Sequence, residues 1–265
     1  MQKVKPDVYL VGEVWAEAET VAPYTKGLPA LFNFEMSWAI LKALQQGRGD
    51  SLAIKHASVV DLYDDVNPDF IDATILSNHD QNRVMSELNG DMNKAKLAAA
   101  LLLTLPGSPY IYYGEEIGMK GKKPDEEIRE PFIWDVQGQD ECRTSWMTPK
   151  NSTEQTVAPV AVQEKDPNSL LNHYKNLIKL RNNSKALTYG AIEPVSVADK
   201  AASVYVRSHE GETVLVMHNV SGAEASIAIP ANLKEYTKVM YQNQGARLNK
   251  DKAQLPAFGT LVLSK

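Results

Sequence analysis

The order of apolar and polar positions divides the chain near residue 186. Before that point short apolar runs alternate with helical patterns. Val8-Tyr9-Leu10-Val11 is a fully apolar run closed by Gly12, as expected of a strand buried on both faces. Ala30 to Phe34 predicts a second strand, Phe70 to Leu76 a third, and Tyr110 to Tyr113 a fourth, closed by Gly114. Helical spacing covers Met36 to Gln46, Ser51 to about Tyr63, and Lys94 to Leu105, where Pro106-Gly107 stops it. Ser169 to Asn182 repeats the pattern with Leu170, Leu171, Tyr174, Leu177, Ile178 and Arg181. Four strand-and-helix units in series predict a parallel sheet or barrel. About Glu115 to Pro167 has no clear period and is too long for a mere connector, so a functional or disordered loop is expected there.

From about Leu187 helices vanish. Ser203–Arg207, Thr213–Met217, Ala225–Ile229 and Gly259–Leu263 read as short alternating strands of a small antiparallel β-sandwich. The expected domains are therefore 1–186 and 187–265.

Composition narrows the chemistry. The 265 residues are 43% hydrophobic and 23% charged, which suits a globular chain with a real core. A net charge of −5 with dispersed Lys and Arg argues against nucleic acid and anionic membrane as partners. Cys142 stands alone, so no intrachain disulfide or thiolate metal cluster can be built. The first residues carry no apolar core of a signal peptide, and no membrane span is visible.

In parallel α/β folds ligands bind beyond the carboxyl ends of the strands. There the sequence places Glu13, then Asn78-His79-Asp80, then Gly114-Glu115-Glu116. Glu13, in Val11-Gly12-Glu13-Val14-Trp15, is expected in apolar surroundings that raise its pKa and suit a general acid. Asp80 has polar neighbours able to hold it ionised, and such a division of labour fits cleavage of a glycosidic acetal. Plainer readings stand beside these: Asp80 as the N-cap of a following helix, Glu13 as an ordinary strand-end carboxylate, and His79 as a buried core histidine. Trp15, Trp38, Tyr112, Tyr113, Trp134 and Trp146 are sugar-stacking candidates that could equally be core. Arg48-Gly49-Asp50 carries no assigned meaning.

Four segments together resemble the α-amylase family, glycoside hydrolase family 13. They are Gly12-Glu13-Val14-Trp15, Leu76-Ser77-Asn78-His79-Asp80-Gln81, Gly107 to Glu116 and Arg129-Glu130-Pro131-Phe132-Ile133-Trp134-Asp135. The resemblance implies a retaining hydrolase of α-1,4-glucosidic bonds in starch or malto-oligosaccharides. On it, Glu13 is the general acid/base and Asp80 the carboxylate that steadies the transition state. His79, Asn78, Trp15 and Arg83 are implied to bind substrate, and Glu13 and Asp80 to project from neighbouring strands into one cleft.

The family's nucleophile motif, a fourth-strand Asp in a pattern like Gly-Phe-Arg-x-Asp-Ala, does not occur. The expected fold is therefore α/β: the C-terminal half of a (β/α)8 TIM barrel, strands 5 to 8, followed by an antiparallel β-sandwich. A complete barrel occupies about 250 residues. Open sheet edges are expected to pair with the missing N-terminal half or with another copy. Calcium is implied for the complete enzyme but no ligand is assignable here, and the isolated chain is expected to be inactive. The parent is expected outside the cell or at its surface, otherwise in the cytoplasm. Two other readings remain at this stage: an α-glucosidase for short oligosaccharides, and a non-catalytic carbohydrate-binding fragment.

Overall fold

The computed structural model describes residues 3–5, 7–137 and 139–265. In the first part of the chain the elements are β1 (Val11–Gly12), α1 (Ala18–Val21), β2 (Ala30–Asn33), α2 (Phe34–Gln46), α3 (Leu52–Asp64), β3 (Ile71–Thr74), α4 (Val84–Glu87), α5 (Met92–Thr104), β4 (Ser108–Pro109), α6 (Asp125–Ile128), α7 (Val160–Gln163), α8 (Leu170–Asn182) and α9 (Lys185–Tyr189). The four strands form one parallel sheet in chain order, β1-β2-β3-β4. This leaves β1 and β4 as its edges, and each is only two residues long. Short edges of this kind limit the row of unpaired backbone groups offered to a neighbouring chain.

The long helices begin and end where their capping chemistry lies. The Asn33 side chain accepts the Met36 N–H at 2.9 Å to start α2, and Gly47, at φ +68°, ends it in a left-handed conformation. Asp91 accepts the Asn93 and Lys94 N–H groups to start α5, and Ser169 accepts that of Asn172 to start α8. Helix α5 is buried on nearly every side, with Leu97, Ala98, Ala99, Ala100 and Leu101 inaccessible. A helix apolar all round belongs in the middle of a core. It packs against α2 and α8, and Met36, Ile40, Leu44, Leu101, Tyr174 and Leu177 share that core.

The remaining strands are β5 (Ala191–Pro194), β6 (Ala202–His209), β7 (Glu212–Asn219), β8 (Ala225–Ala228), β9 (Lys238–Gln242), β10 (Arg247–Asn249), β11 (Lys252–Leu255) and β12 (Thr260–Ser264). They form an antiparallel five-stranded sheet, β5-β6-β7-β12-β9, and a three-stranded sheet, β10-β11-β8. Val204, Val206, Leu215, Met217, Leu261 and Leu263 face Ile227, Ala253 and Leu255 in the core between the sheets. The intervening residues Tyr205, Val214, Val216 and Val262 join the core built around α5 and α8. The five-stranded sheet is thus covered on both faces, which is why its strands read as nearly continuous apolar runs and not as a clean alternation.

Two expected strands move. The first is confined to Val11–Gly12, and the fourth lies at Ser108–Pro109 instead of Tyr110 to Tyr113. After Tyr110, whose N–H still reaches the Thr74 carbonyl at 2.8 Å, the chain leaves the ladder. The Tyr112 and Tyr113 hydroxyls instead donate to the Ile128 and Glu130 carbonyls, at 3.2 and 2.9 Å. Gly114, at φ +83°, makes the turn that follows; a Cβ there would strike the Met119 side chain.

Candidate active site

Glu13 leaves the carboxyl end of β1, and the run Ser77 to Asp80 leaves the same end of β3. Strand β2 lies between them, so the two segments are not on neighbouring strands as expected but two strand spacings apart, about 10 Å at the backbone. Just past the end of β2, buried Phe34 backs two exposed indoles. Phe34 stacks on Trp15, with centroids 4.4 Å apart and planes at 23°, and Trp38 flanks it at 6.2 Å.

Glu13 is exposed, so the apolar surroundings expected from its sequence neighbours do not form around it. Its Oε1 accepts the Trp15 indole N–H at 2.6 Å. That bond orients the carboxyl group and leaves Oε2 free of the indole.

The polar run after β3 points two ways. Ser77 is buried and its hydroxyl lies 3.4 Å from Glu115 Oε2. The Asn78 side chain accepts the Asp80 N–H at 2.9 Å, forming the turn that sends His79 and Asp80 outward. Both outward side chains are partly exposed, so His79 is not a core histidine. Asp80 does not cap a helix: α4 starts at Val84, with Arg83 at its N-cap and no side-chain cap bond. The His79 Nε2 atom lies 3.4 Å from Asp80 Oδ2.

Arg129, which belongs to one of the resembling segments but has no role assigned from sequence, fixes this turn. Its Nε–H donates to the His79 carbonyl at 2.8 Å, and its Nη2 donates to Asp80 Oδ1 at 2.6 Å and Asp125 Oδ2 at 2.8 Å. The Asp125 and Arg129 pair at helical spacing is the one local signal; the contact to Asp80 spans 49 residues and leaves none.

Arg83, expected to bind substrate, is buried. Its guanidinium lies 4.7 Å from each of the Tyr112 and Tyr113 ring centroids, and Nη1 donates to the Tyr113 carbonyl at 2.6 Å. It supports those rings from beneath and presents no donor at the surface. Glu115 and Glu116 are likewise turned inward. Glu115 accepts the Tyr174 hydroxyl at 2.8 Å, and burial pushes its pKa up to about 8, with that hydrogen bond opposing the rise. Burial also raises Glu116. Of the carboxylates noted at strand ends, Glu13 is exposed, Asp80 and Glu116 are half-buried, and Glu115 is buried. Trp15, Trp38, Trp134 and Trp146 are all substantially exposed, which removes the core reading for them.

Among the described residues no group of three or more His, Cys, Asp or Glu side chains could hold a metal ion. No helix is long and apolar enough to cross a membrane among the described residues.

Comparison with known proteins agrees with the motifs. Residues 1–190 match the model of the α-amylase catalytic domain, and residues 203–262 match that of the C-terminal domain of the α-amylase SusG. The chain is 38% identical over 263 residues to α-amylase 3 of Dictyoglomus thermophilum, covering 99% of this chain and 52% of that protein. It is 37% identical over 255 residues to α-amylase SusG of Bacteroides thetaiotaomicron, covering 92% of this chain and 36% of that protein. An α-amylase structure from H. orenii superposes with a TM-score of 0.88 at 37% identity, over 100% of this chain and 54% of that one. The chain therefore spans about half the length, or less, of these relatives. On the matched catalytic domain, the strand-end segments and the C-terminal antiparallel sheets, the chain belongs to the α-amylase family of glycoside hydrolases, family 13.

Proposed function

We propose that this chain is the acid-bearing C-terminal part of a retaining α-amylase that cleaves α-1,4-glucosidic bonds in starch or malto-oligosaccharides. On this reading its four-stranded sheet is strands 5 to 8 of a (β/α)8 barrel, and the nucleophile is supplied by the other half. One observation carries it: at one end of a parallel sheet stand an exposed carboxyl group held by an exposed indole and a second carboxylate held by an arginine.

The geometry supports the following roles. Glu13 donates its proton to the glycosidic oxygen as the bond breaks, then takes one from the water that completes hydrolysis. A retaining nucleophile must sit with its carboxyl group about 5 Å from that of the acid. Asp80, two strand spacings away and paired with Arg129, suits binding of sugar hydroxyls better than attack. His79 is placed to donate to the same sugar, and Trp15 to stack on it. The sheet edges β1 and β4 are where the other barrel half, or a second copy, would pair. Calcium, if the complete enzyme uses it, would be held chiefly by that other half. A starch polymer is met outside the cell, which is where the parent enzyme is proposed to act.

The test is complementation. The isolated chain should release no reducing sugar from soluble starch, and adding the first half of the barrel in trans should restore release. Glu13→Gln and Asp80→Asn should each abolish the restored activity. Starch hydrolysis by the chain alone would overturn the incompleteness, and full activity in Glu13→Gln would overturn the assigned acid.

A further inference from the structure

The hydrogen bond between Trp15 and Glu13 constrains the carboxyl group more than its exposure suggests. An exposed glutamate beside a loose indole would sample several rotamers. This indole is not loose. Its ring stacks on Phe34, with centroids 4.4 Å apart and planes at 23°, and Phe34 is inaccessible and opens α2. The start of α2 is fixed in turn. Asn33 accepts the Met36 N–H and donates through Nδ2 to Asp72 Oδ2 at 3.0 Å, and His56 Nε2 lies 2.9 Å from the same oxygen. Asn33, His56 and Asp72 are all buried. Beyond Trp15 the chain is tied to the same helix, because the Ala18 N–H donates to Glu35 Oε2 at 2.7 Å while Lys55 pairs with Glu35 Oε1. The donor that meets Glu13 Oε1 at 2.6 Å therefore stands on the core, although its ring is 48% exposed.

The chemistry of the indole adds a second constraint. An indole nitrogen carries one hydrogen and can only donate. The oxygen that faces it must accept, whether the carboxyl group is ionised or neutral. A neutral carboxyl group has one carbonyl oxygen and one hydroxyl oxygen, so with Oε1 accepting, the proton resides on Oε2. The bond thus removes two freedoms from Glu13: the rotation of its carboxyl group and the choice of the oxygen that bears the proton. Fixing both before substrate arrives matters to rate, since a misplacement of about 1 Å in a reacting group can cost about a hundredfold.

We propose that Trp15 is the positioning residue of the general acid: its N–H holds Oε1 of Glu13 as an acceptor throughout the cycle, and Oε2 is the oxygen that gives up and regains the proton. The proton passes from Oε2 to the glycosidic oxygen, which takes the electron pair of the breaking C–O bond. Oε2 then recovers a proton from the water that completes hydrolysis. Trp15 acts here through Glu13, apart from any stacking on sugar. The inference rests on Glu13 being the acid, as proposed above.

Two measurements test it. In the intact chain with isotope-labelled tryptophan, exchange of the Trp15 indole hydrogen with water reads the bond directly, the signal being assigned by its loss in Trp15→Phe. Glu13→Ala should accelerate that exchange at least tenfold, whereas Glu13→Gln, whose amide oxygen still accepts, should stay within about threefold of wild type. In the enzyme restored with the first half of the barrel, Trp15→Phe keeps a ring against Phe34 but loses the donor. It should lower kcat on soluble starch at least tenfold with KM within about threefold. On maltosyl fluoride the loss should shrink to under about threefold, because fluoride departs with little help from a proton. Equal losses on both substrates, a higher KM at unchanged kcat, or indole exchange indifferent to Glu13→Ala would each overturn the positioning role and leave the proposed function standing. No starch hydrolysis by the restored wild type would overturn the proposed function and this role with it.

Discussion

Replacing Glu130 with Gln should loosen the loop that carries Trp146. The Glu130 side chain is inaccessible to solvent and gathers the N–H groups of three consecutive residues. Oε1 accepts from Lys150 N at 2.7 Å and Asn151 N at 2.9 Å, and also from Asn151 Nδ2 at 3.1 Å; Oε2 accepts from Ser152 N at 2.6 Å. Ser152 in turn exchanges hydrogen bonds with the Lys120 N–H and carbonyl, both at 2.8 Å. A glutamine keeps the shape but turns one oxygen into a donor. In either amide orientation at least one buried backbone N–H then faces an N–H₂ group, at about 1–3 kcal/mol for the unsatisfied donor. The surviving bonds also lose their charge, on the order of 1 kcal/mol each. The total is about 3–4 kcal/mol by the same figures. If the loop opens separately from the core, the loss appears first as local opening. Amide exchange at Lys150, Asn151 and Ser152 should therefore accelerate on the order of a hundredfold, with the urea midpoint falling by less than the full amount implies. Exchange within about threefold of wild type at all three amides would refute the carboxylate as the staple of this loop.

Three further outcomes follow from buried groups and from the Arg129 clamp. His218 is buried beside Thr104, Tyr205 and Thr260, and burial holds its pKa down at about 3 against an ordinary 6.5. Since the unfolded chain binds the proton first, stability falls as pH drops from 6.5 toward 3, by up to about 4 kcal/mol for this group; urea midpoints of His218→Gln should show a correspondingly shallower acid slope. Glu115 has the opposite sign: with its folded pKa raised to about 8, its stability contribution is full below 4.5 and is lost as pH rises through 8. Glu115→Gln should thus gain on wild type between about pH 5 and pH 9 in the same assay. Arg129→Met should leave the thermal midpoint nearly unchanged, because its ion pairs are partly exposed and worth under about 1 kcal/mol, yet weaken maltotriose binding severalfold by freeing Asp80.

What the sequence discloses and what it hides divide by range. Helices α2, α3, α5 and α8 are legible to within two residues at each end, because their periodicity and caps are local. Tyr110 to Tyr113 reads as a strand because an apolar aromatic run carries no mark of what lies beneath it. Arg83, the residue that draws those rings out of the ladder, is 30 positions away. That both faces of β6, β7 and β12 are covered is not legible locally, since the helices that cover the second face are far off in the chain. At the site, the strand-end rule locates Glu13 and Asp80 but does not say which way a side chain turns. Glu115 obeys the same rule and points inward to Tyr174.

The order of the strands explains why the two exposed carboxyl groups can differ in role. On adjacent parallel strands their backbones would lie about 5 Å apart, close enough for one charge to oppose the other. With β2 between them the strand separation doubles, and buried Phe34 backs the exposed Trp15 and Trp38 rings there. The proton donor and the hydroxyl-binding carboxylate of the proposed reaction then act without sharing a hydrogen bond. The indole bond on Glu13 and the guanidinium bond on Asp80 reinforce the division, because each carboxyl group has its own partner and neither needs the other. On the roles proposed for Glu13 and Asp80, the nucleophile comes from a strand outside the sheet order β1-β2-β3-β4. On the proposed function, catalysis therefore depends on a partner sheet that brings a third carboxylate to within about 5 Å of the Glu13 carboxyl group.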